Sequence, residues 1–411
     1  MKNIFRSLLI IIVFTAFTCI SCSQTQNEPV TVPFTLDHNR MLIDGEIQNP
    51  DGRWSPVKIW VDTGNPDFFL SEAVAEKIGI DVSQKIKSED GRIQPLEVDP
   101  PEGFRIGRMS IDFTGVHSQV MFQPAWLFST MHNDVNLPST VLQKYQVVFD
   151  YINNTMTLSR PGSIEHSGTA VPAYVNKETG IIQINASIDK DTLSFAIDNG
   201  ASYSFASGEL ITGLSQRNPG WKRMNGAVGC ANIWGWWPQE SEWPVLRIPE
   251  IISGGVEFDN VGIAGLPDFF PEKRGIDDWY SLKTVRPVAG FLGPNAFKNF
   301  RMEIDYKNGK VYFKKREKPQ YNDMDIVGIT LRPVTGGRYQ IIGTVRRDGK
   351  SVIEGIVPGD MLIQIDDFKT EGQTMGKVFD ALRGKPGDKH LLTIQRDNEQ
   401  MKIEATVENF L

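Results

Sequence analysis

Residues 57–71 read VKIWVDTGNPDFFLS, and residues 193–207 read LSFAIDNGASYSFAS. Aligned without gaps at an offset of 136 (198 − 62), Ile59 meets Phe195, Val61 meets Ile197 and Asp62 meets Asp198. Gly64 meets Gly200, Phe69 meets Phe205 and Ser71 meets Ser207 in the same register. A second pair follows: LPSTVLQKYQVVFDYINNTMTL (137–158) and LGPNAFKNFRMEIDYKNGKVYF (292–313), at an offset of 155 (305 − 150). There Leu137/Leu292, Asp150/Asp305, Tyr151/Tyr306 and Asn153/Asn308 coincide. The offsets differ by 19 (155 − 136), so the second copy carries an insertion of that length, to which the tryptophan-rich stretch 221–243 contributes. Self-similarity of this kind marks a duplicated structural unit.

Each copy begins with strand-like alternation, at 41–47 and 181–188, leading into an apolar strand that ends in Asp-x-Gly. Each closes on a β-branched and aromatic strand, then Asp-Tyr and an Asn-containing turn, Asn153-Asn154 or Asn308-Gly309. Ser71 is placed to cap a short helix over 72–78, stopped by Gly79. The expected fold class is mainly β: two pseudo-symmetric β lobes over 34–160 and 165–315, followed by a smaller β module with one or two helices over 325–408.

An aspartate that closes an apolar strand is partly desolvated, which disfavours its charged form. The glycine two residues on permits a tight turn and close approach of another backbone. A single Asp-Thr-Gly ends many strands in ordinary turns. Two at equivalent points of a duplication can instead meet across a pseudo-twofold axis, where two carboxylates share one proton and hold a water between them. Such a pair needs neither metal nor histidine. The five histidines (His38, His117, His132, His166 and His390) are dispersed with no close pair, so zinc-ligand and Ser-His-Asp readings are poor, and no cofactor is expected.

On these residues the chain resembles the aspartic proteases, specifically the bacterial retropepsin-like family with two fused lobes. The resemblance spans most of 34–315 and rests on VDTG at 61–64, IDNG at 197–200, and GFLG at 290–293 followed by the Asp305-Tyr306 strand. It implies a catalytic pair of Asp62 and Asp198, supported by Thr63, Gly64, Asn199, Gly200 and Gly293. It also implies a glycine-containing flap, for which Gly226 and Gly229 are the candidates. Two positions depart from the family pattern. Asn199 stands where the family has a hydroxyl that braces the two loops, and Pro138 stands where the second copy has Gly293.

The chain has 411 residues, with 40% hydrophobic and 23% charged, which excludes a disordered or collagen-like chain. It opens MKNIFRSLLIIIVFTAFTCISC: a positive start at Lys2 and Arg6, then an apolar run too short for an ordinary membrane span. Ser21-Cys22 resembles the lipobox of bacterial lipoproteins, with Cys19 where Leu is usual, which implies a signal peptide over 1–21 and acylation of Cys22. A plain secretory signal cut nearby is the alternative. Residues 22–33 form a tether; Ser23 directly after Cys22, with no acidic run, resembles known lipoprotein sorting patterns, and that resemblance implies the outer membrane, facing the periplasm. Removing Lys2 and Arg6 from 43 basic residues leaves 41 against 50 acidic, a net −9 that argues against nucleic acid as a partner. Three cysteines make no disulfide framework, and Cys230 is expected to be a buried thiol.

Residues 314–322 (KKREKPQYN) form a charged, Pro-containing join. Beyond them, strand-like runs flank one helix-like stretch at 374–382, and GIVPGDML (355–362) resembles the PDZ signature. That likeness implies a groove bordered by Tyr339, Ile341, Val378 and Leu382, to which an extended C-terminal peptide adds as a strand. A small domain that braces the lobes is the alternative. Trp221, Trp234, Trp236, Trp237 and Trp243 either line a groove or pack the lobes, the second being favoured. The function expected is an envelope-anchored aspartic endopeptidase acting on polypeptides, with a catalytically silent peptide-binding lipoprotein as the alternative.

Overall fold

The structure, a computed structural model, describes residues 28–83, 85–87, 93–122, 134–226, 242–268, 275–322, 324–334, 336–347 and 350–410. It is mainly β, with two lobes of common wiring and a C-terminal unit. In the first lobe Arg40–Gln48 and Trp54–Asp62 form a hairpin, and Val135–Pro138 lies parallel to the strand that ends in Asp62. In the second, Ile182–Ile188 and Asp191–Ile197 form the hairpin, and Gly290–Leu292 is the parallel neighbour. Phe68–Ser71 and Ser204–Ser207 then return, each beside a further parallel strand, Ser118–Met121 or Val256–Leu266.

Local chemistry repeats with the wiring. Ser71 and Ser207 both occupy N-caps, their hydroxyls accepting from Val74 N and Leu210 N at 3.3 Å. These caps start the helices Glu72–Lys77 and Gly208–Arg217, again 136 residues apart at their first positions. Asp150 accepts from Asn153 N, and Asp305 from Asn308 N, so each Asp-Tyr motif fastens the turn that follows its strand.

One sheet joins the lobes. Its order is Val30–Asp37, Thr155–Ser159, Gln146–Asp150, Phe300–Asp305, Lys310–Lys315 and Thr169–Val175, with antiparallel neighbours throughout. Val148 lies opposite Glu303, which is its own equivalent in the repeat (148 + 155). Antiparallel pairing of equivalent positions is what a twofold axis between two copies produces. The second copy's 19-residue excess divides at the strand pair Ser118–Met121 and Val256–Leu266. Phe68 pairs with Ser118 and Ser204 with Ile263, an offset of 145 (263 − 118). Nine residues of the excess (145 − 136) therefore fall before that pair. The other ten (155 − 145) fall after it, in the span that contains the helix Ile276–Ser281.

An apolar core runs through both lobes, and a second is shared between the second lobe and the C-terminal unit. That unit is a seven-stranded sheet with the helix Met375–Leu382, whose N-cap Thr374 accepts from Lys377 N. Its groove candidates are placed differently from the expectation. Tyr339, Ile341, Val378 and Leu382 are fully buried core residues. The strand Arg338–Thr344 pairs along its length with Ile329–Val334. Its other edge is taken by Met361 and Leu362, and by Gly359 and Asp360 around Ile341. As folded, these four residues fill a core and do not border an open groove, because chain neighbours satisfy both edges of the strand.

A hairpin tip of the first lobe seats on that unit's helix. Asp37 Oδ1 accepts from Gly376 N at 2.8 Å, and the His38 ring stacks on Phe379 at 4.4 Å. Buried Arg40 pairs with Asp37 at 3.4 Å. Asn39 points the other way, donating from Nδ2 to Ser202 O at 2.8 Å in the loop that follows Asp198. Among the described residues no helix is long and apolar enough to cross a membrane.

Candidate active site

Asp62 and Asp198 each stand at the end of an apolar strand and start a loop whose backbone folds back on the carboxylate. Asp62 Oδ1 accepts from Gly64 N at 3.0 Å. Asp198 Oδ1 accepts from Gly200 N at 2.9 Å and Ala201 N at 3.0 Å. The loops also cross. A Cβ added to Gly200 would collide with the Asp62 carboxylate, and one added to Gly64 would collide with the Asp198 carboxylate and the Tyr280 hydroxyl. Each acid thus lies over the glycine of the other loop, and glycine is required there by close approach.

Both acids are almost fully buried, at 4% and 8% exposure. Burial, and then the neighbouring Asp198 charge, hold the Asp62 carboxyl well above the usual carboxylate range, against the Gly64 N–H bond and the Lys283 charge. Burial likewise raises Asp198, opposed by the bond from Ala201, by that from Tyr280 wherever the phenol donates to the ionised acid, and by Gly200 and Lys283. The protons belong to the pair, which titrates as a unit. Lys283 sits with its ammonium 3.9 Å above the Trp279 ring; burial lowers its affinity for a proton, and Asp67, Asp62 and Asp198 raise it.

Thr63 braces the two loops. Its hydroxyl donates to Ile197 O at 2.8 Å and accepts from Asn199 N at 2.9 Å. The equivalent side chain, Asn199, is fully buried, and neither its Nδ2 nor its Oδ1 has a hydrogen-bond partner among the described residues. The brace is therefore built from one side.

Pro138 is accommodated by a paired change. Gly293 N donates to Ser204 Oγ at 2.9 Å. The first-lobe counterpart of Ser204 is Phe68 (204 − 136), so the N–H that Pro138 lacks has no acceptor to serve. Ser139 N and Oγ instead bind Asn65 O at 2.9 and 2.8 Å, tying the next helix to the Asp62 loop.

Tyr280 was not visible in the sequence as a site residue. It lies on the helix Ile276–Ser281, buried, with its ring 5.3 Å from that of Phe291. Its hydroxyl is 3.0 Å from Gly64 O and 3.2 Å from Asp198 Oδ2. Nothing in the sequence marked it, since the second copy's excess pointed to the stretch 221–243.

Gly226 follows the strand Arg223–Asn225, which pairs with Pro244–Ser253, and its N–H donates to Trp243 O at 2.9 Å. Gly229, Cys230, Trp234, Trp236, Trp237 and Cys22 are outside the described residues. Trp243 is buried in the core shared with the C-terminal unit, and Trp221, partly buried, packs against the core of the lobes. Among the described residues no three His, Cys, Asp or Glu side chains gather as a metal site.

No protein-family model and no curated protein matches the chain. Among solved structures it is similar to the aspartic proteinase from Irpex lacteus, at 13% identity and a TM-score of 0.40, over 71% of this chain and 98% of that one.

Proposed function

We propose that the chain is an aspartic endopeptidase that hydrolyses peptide bonds with one proton shared between Asp62 and Asp198. The observation that carries this reading is the crossed placement of two buried carboxylates, each over the other loop's glycine. Like charges so placed do not both ionise readily, so the pair keeps a proton where isolated acids have lost theirs. A water held between them meets one ionised and one protonated oxygen. The ionised carboxylate takes a proton as the water oxygen bonds to the substrate carbonyl carbon, and the protonated carboxyl donates to the carbonyl oxygen. The amide nitrogen then leaves with the proton that the base acquired, while the other carboxylate takes back a proton from one hydroxyl of the tetrahedral diol, giving the carboxylic acid and restoring the shared proton.

The proposed substrate is a polypeptide. The leader, the acylated Cys22 and the tether over 22–33 would hold the lobes at the outer membrane, facing the periplasm; this rests on sequence alone. The C-terminal unit carries the PDZ-like signature. Capture of a peptide by strand addition there requires Arg338–Thr344 to release a partner on one edge, so we assign the unit, as folded, the role of a brace on the second lobe.

The test is cleavage of an unfolded protein mixture by chain lacking residues 1–28, from mildly acidic to neutral pH. Asp62→Asn and Asp198→Asn should each abolish it. A second reading, a silent peptide-binding protein, is favoured by the unpartnered amide of Asn199. Peptide binding without cleavage across that pH range would replace the first reading with the second.

A further inference from the structure

We propose that Tyr280 is a positioning residue for the Asp62–Asp198 pair, tying Asp198 of the second lobe to the Gly64 carbonyl of the first and fixing which acid carries the shared proton. This rests on the aspartic peptidase reading. The argument is one of proton count. The Tyr280 hydroxyl has one hydrogen and lies within reach of two oxygens. The nearer, Gly64 O at 3.0 Å, is a carbonyl and can only accept. If the phenol donates there, its contact with Asp198 Oδ2 at 3.2 Å is filled only when that oxygen bears a proton and donates to the phenol.

Asp198 Oδ1 already accepts two backbone N–H groups, which leaves Oδ2 as the oxygen to protonate. With the proton there, every donor in the chain Asp198 Oδ2–H, Tyr280 Oη–H, Gly64 O has an acceptor. With Asp198 ionised, the phenol must choose between the two oxygens. Asp62 then serves as the ionised base. A twofold pair offers no intrinsic reason to prefer either acid, and Tyr280 supplies one. It lies in a span where the second copy is ten residues longer, and it has no counterpart among the described residues of the first lobe.

The test is Tyr280→Phe, which keeps the ring against Phe291 and removes only the hydroxyl. Cleavage should fall about tenfold in kcat with KM unchanged, and the alkaline limb of the pH–rate profile should move to lower pH, because the protonated form has lost its acceptor. Melting temperature against pH supplies a readout free of catalysis. A raised carboxyl pKa makes stability fall as pH rises through its titration, and the variant should show that fall at lower pH than the wild type. An unaltered profile and melting curve would overturn the proposal. A shift to higher pH would overturn the proton assignment, since it would mean that the phenol donates to ionised Asp198. If the wild type cleaves nothing, the peptidase reading fails, while the melting comparison still decides the role of Tyr280.

Discussion

Replacing Gly200 by alanine adds one methyl group at the point where the two loops cross. The new Cβ would stand 2.9 Å from Asp62 Oδ2 and nearer still to Oδ1 and Cγ, whereas ordinary contact begins at 3.4 Å. The collision is with the carboxylate itself, not with the tip of a long flexible side chain. Asp62 must therefore retreat by about 1 Å, and a misplacement of that size costs on the order of a hundredfold in rate. Gly200 is not in the left-handed region, so alanine is compatible with its backbone and the fold should persist. The assay is the initial rate of cleavage of an unfolded protein, with Asp62→Asn as the zero and thermal melting as the control for folding. The expected result is a drop in kcat of about a hundredfold with a cooperative melt retained. A folded Gly200→Ala variant that cleaves at the wild-type rate would refute the crossed geometry.

Three further outcomes are expected. Asp62→Asn should gain stability relative to wild type as pH rises. In the wild type the pair keeps a proton above the unfolded carboxylate pKa, so its contribution is complete below the unfolded pKa and lost toward the raised one, with a slope of about 1.4 kcal/mol per pH unit for one proton, and asparagine at 62 removes the like charge that helps raise it. Melting curves from acidic to neutral pH check this, and parallel curves would exclude it. Asn199→Thr should add about 1 kcal/mol and raise the cleavage rate, since its hydroxyl can mirror the bonds of Thr63 and two buried unpartnered atoms disappear; the urea midpoint measures it. Asp37→Ala should cost about 1–3 kcal/mol by leaving buried Gly376 N without its acceptor and removing a carboxylate contact of Arg40. An unchanged urea midpoint would show that the hairpin tip does not hold the C-terminal helix.

The repeat was legible because each copy keeps its punctuation: a serine cap, an Asp-x-Gly loop and an Asp-Tyr turn at fixed offsets. Those signals are local, and local chemistry is what a sequence displays. The capped helix over 72–78 is found at Glu72–Lys77, and the one over 374–382 at Met375–Leu382. What the sequence concealed depends on partners far along the chain. Tyr280 reaches Gly64 across 216 residues, and Gly376 reaches Asp37 across 339. The filled groove was hidden for the same reason: Tyr339 and Val378 have the spacing of either a groove wall or a core, and the pairing of both strand edges, by Ile329–Val334 on one side and by residues 359–362 on the other, decides between them. The short strand pair Arg346–Arg347 and Lys350–Ser351, which reaches Asn225 of the second lobe, carries no apolar pattern to announce it.

The pairing of Val148 with Glu303 at the centre of the joining sheet has a consequence for what two halves in one chain can do. In an assembly of two identical polypeptides, every side chain near the dyad occurs twice, so a glutamate there would confront its own copy. Covalent linkage lifts that restriction. Glu303 is buried beside Gln146 and His166, while valine faces it across the axis. The same freedom lets one lobe keep a threonine where the other has an amide, and lets a single phenol serve a pair of acids. Expressed as separate pieces, the halves would have to find each other as unlike partners, and neither could substitute for its twin.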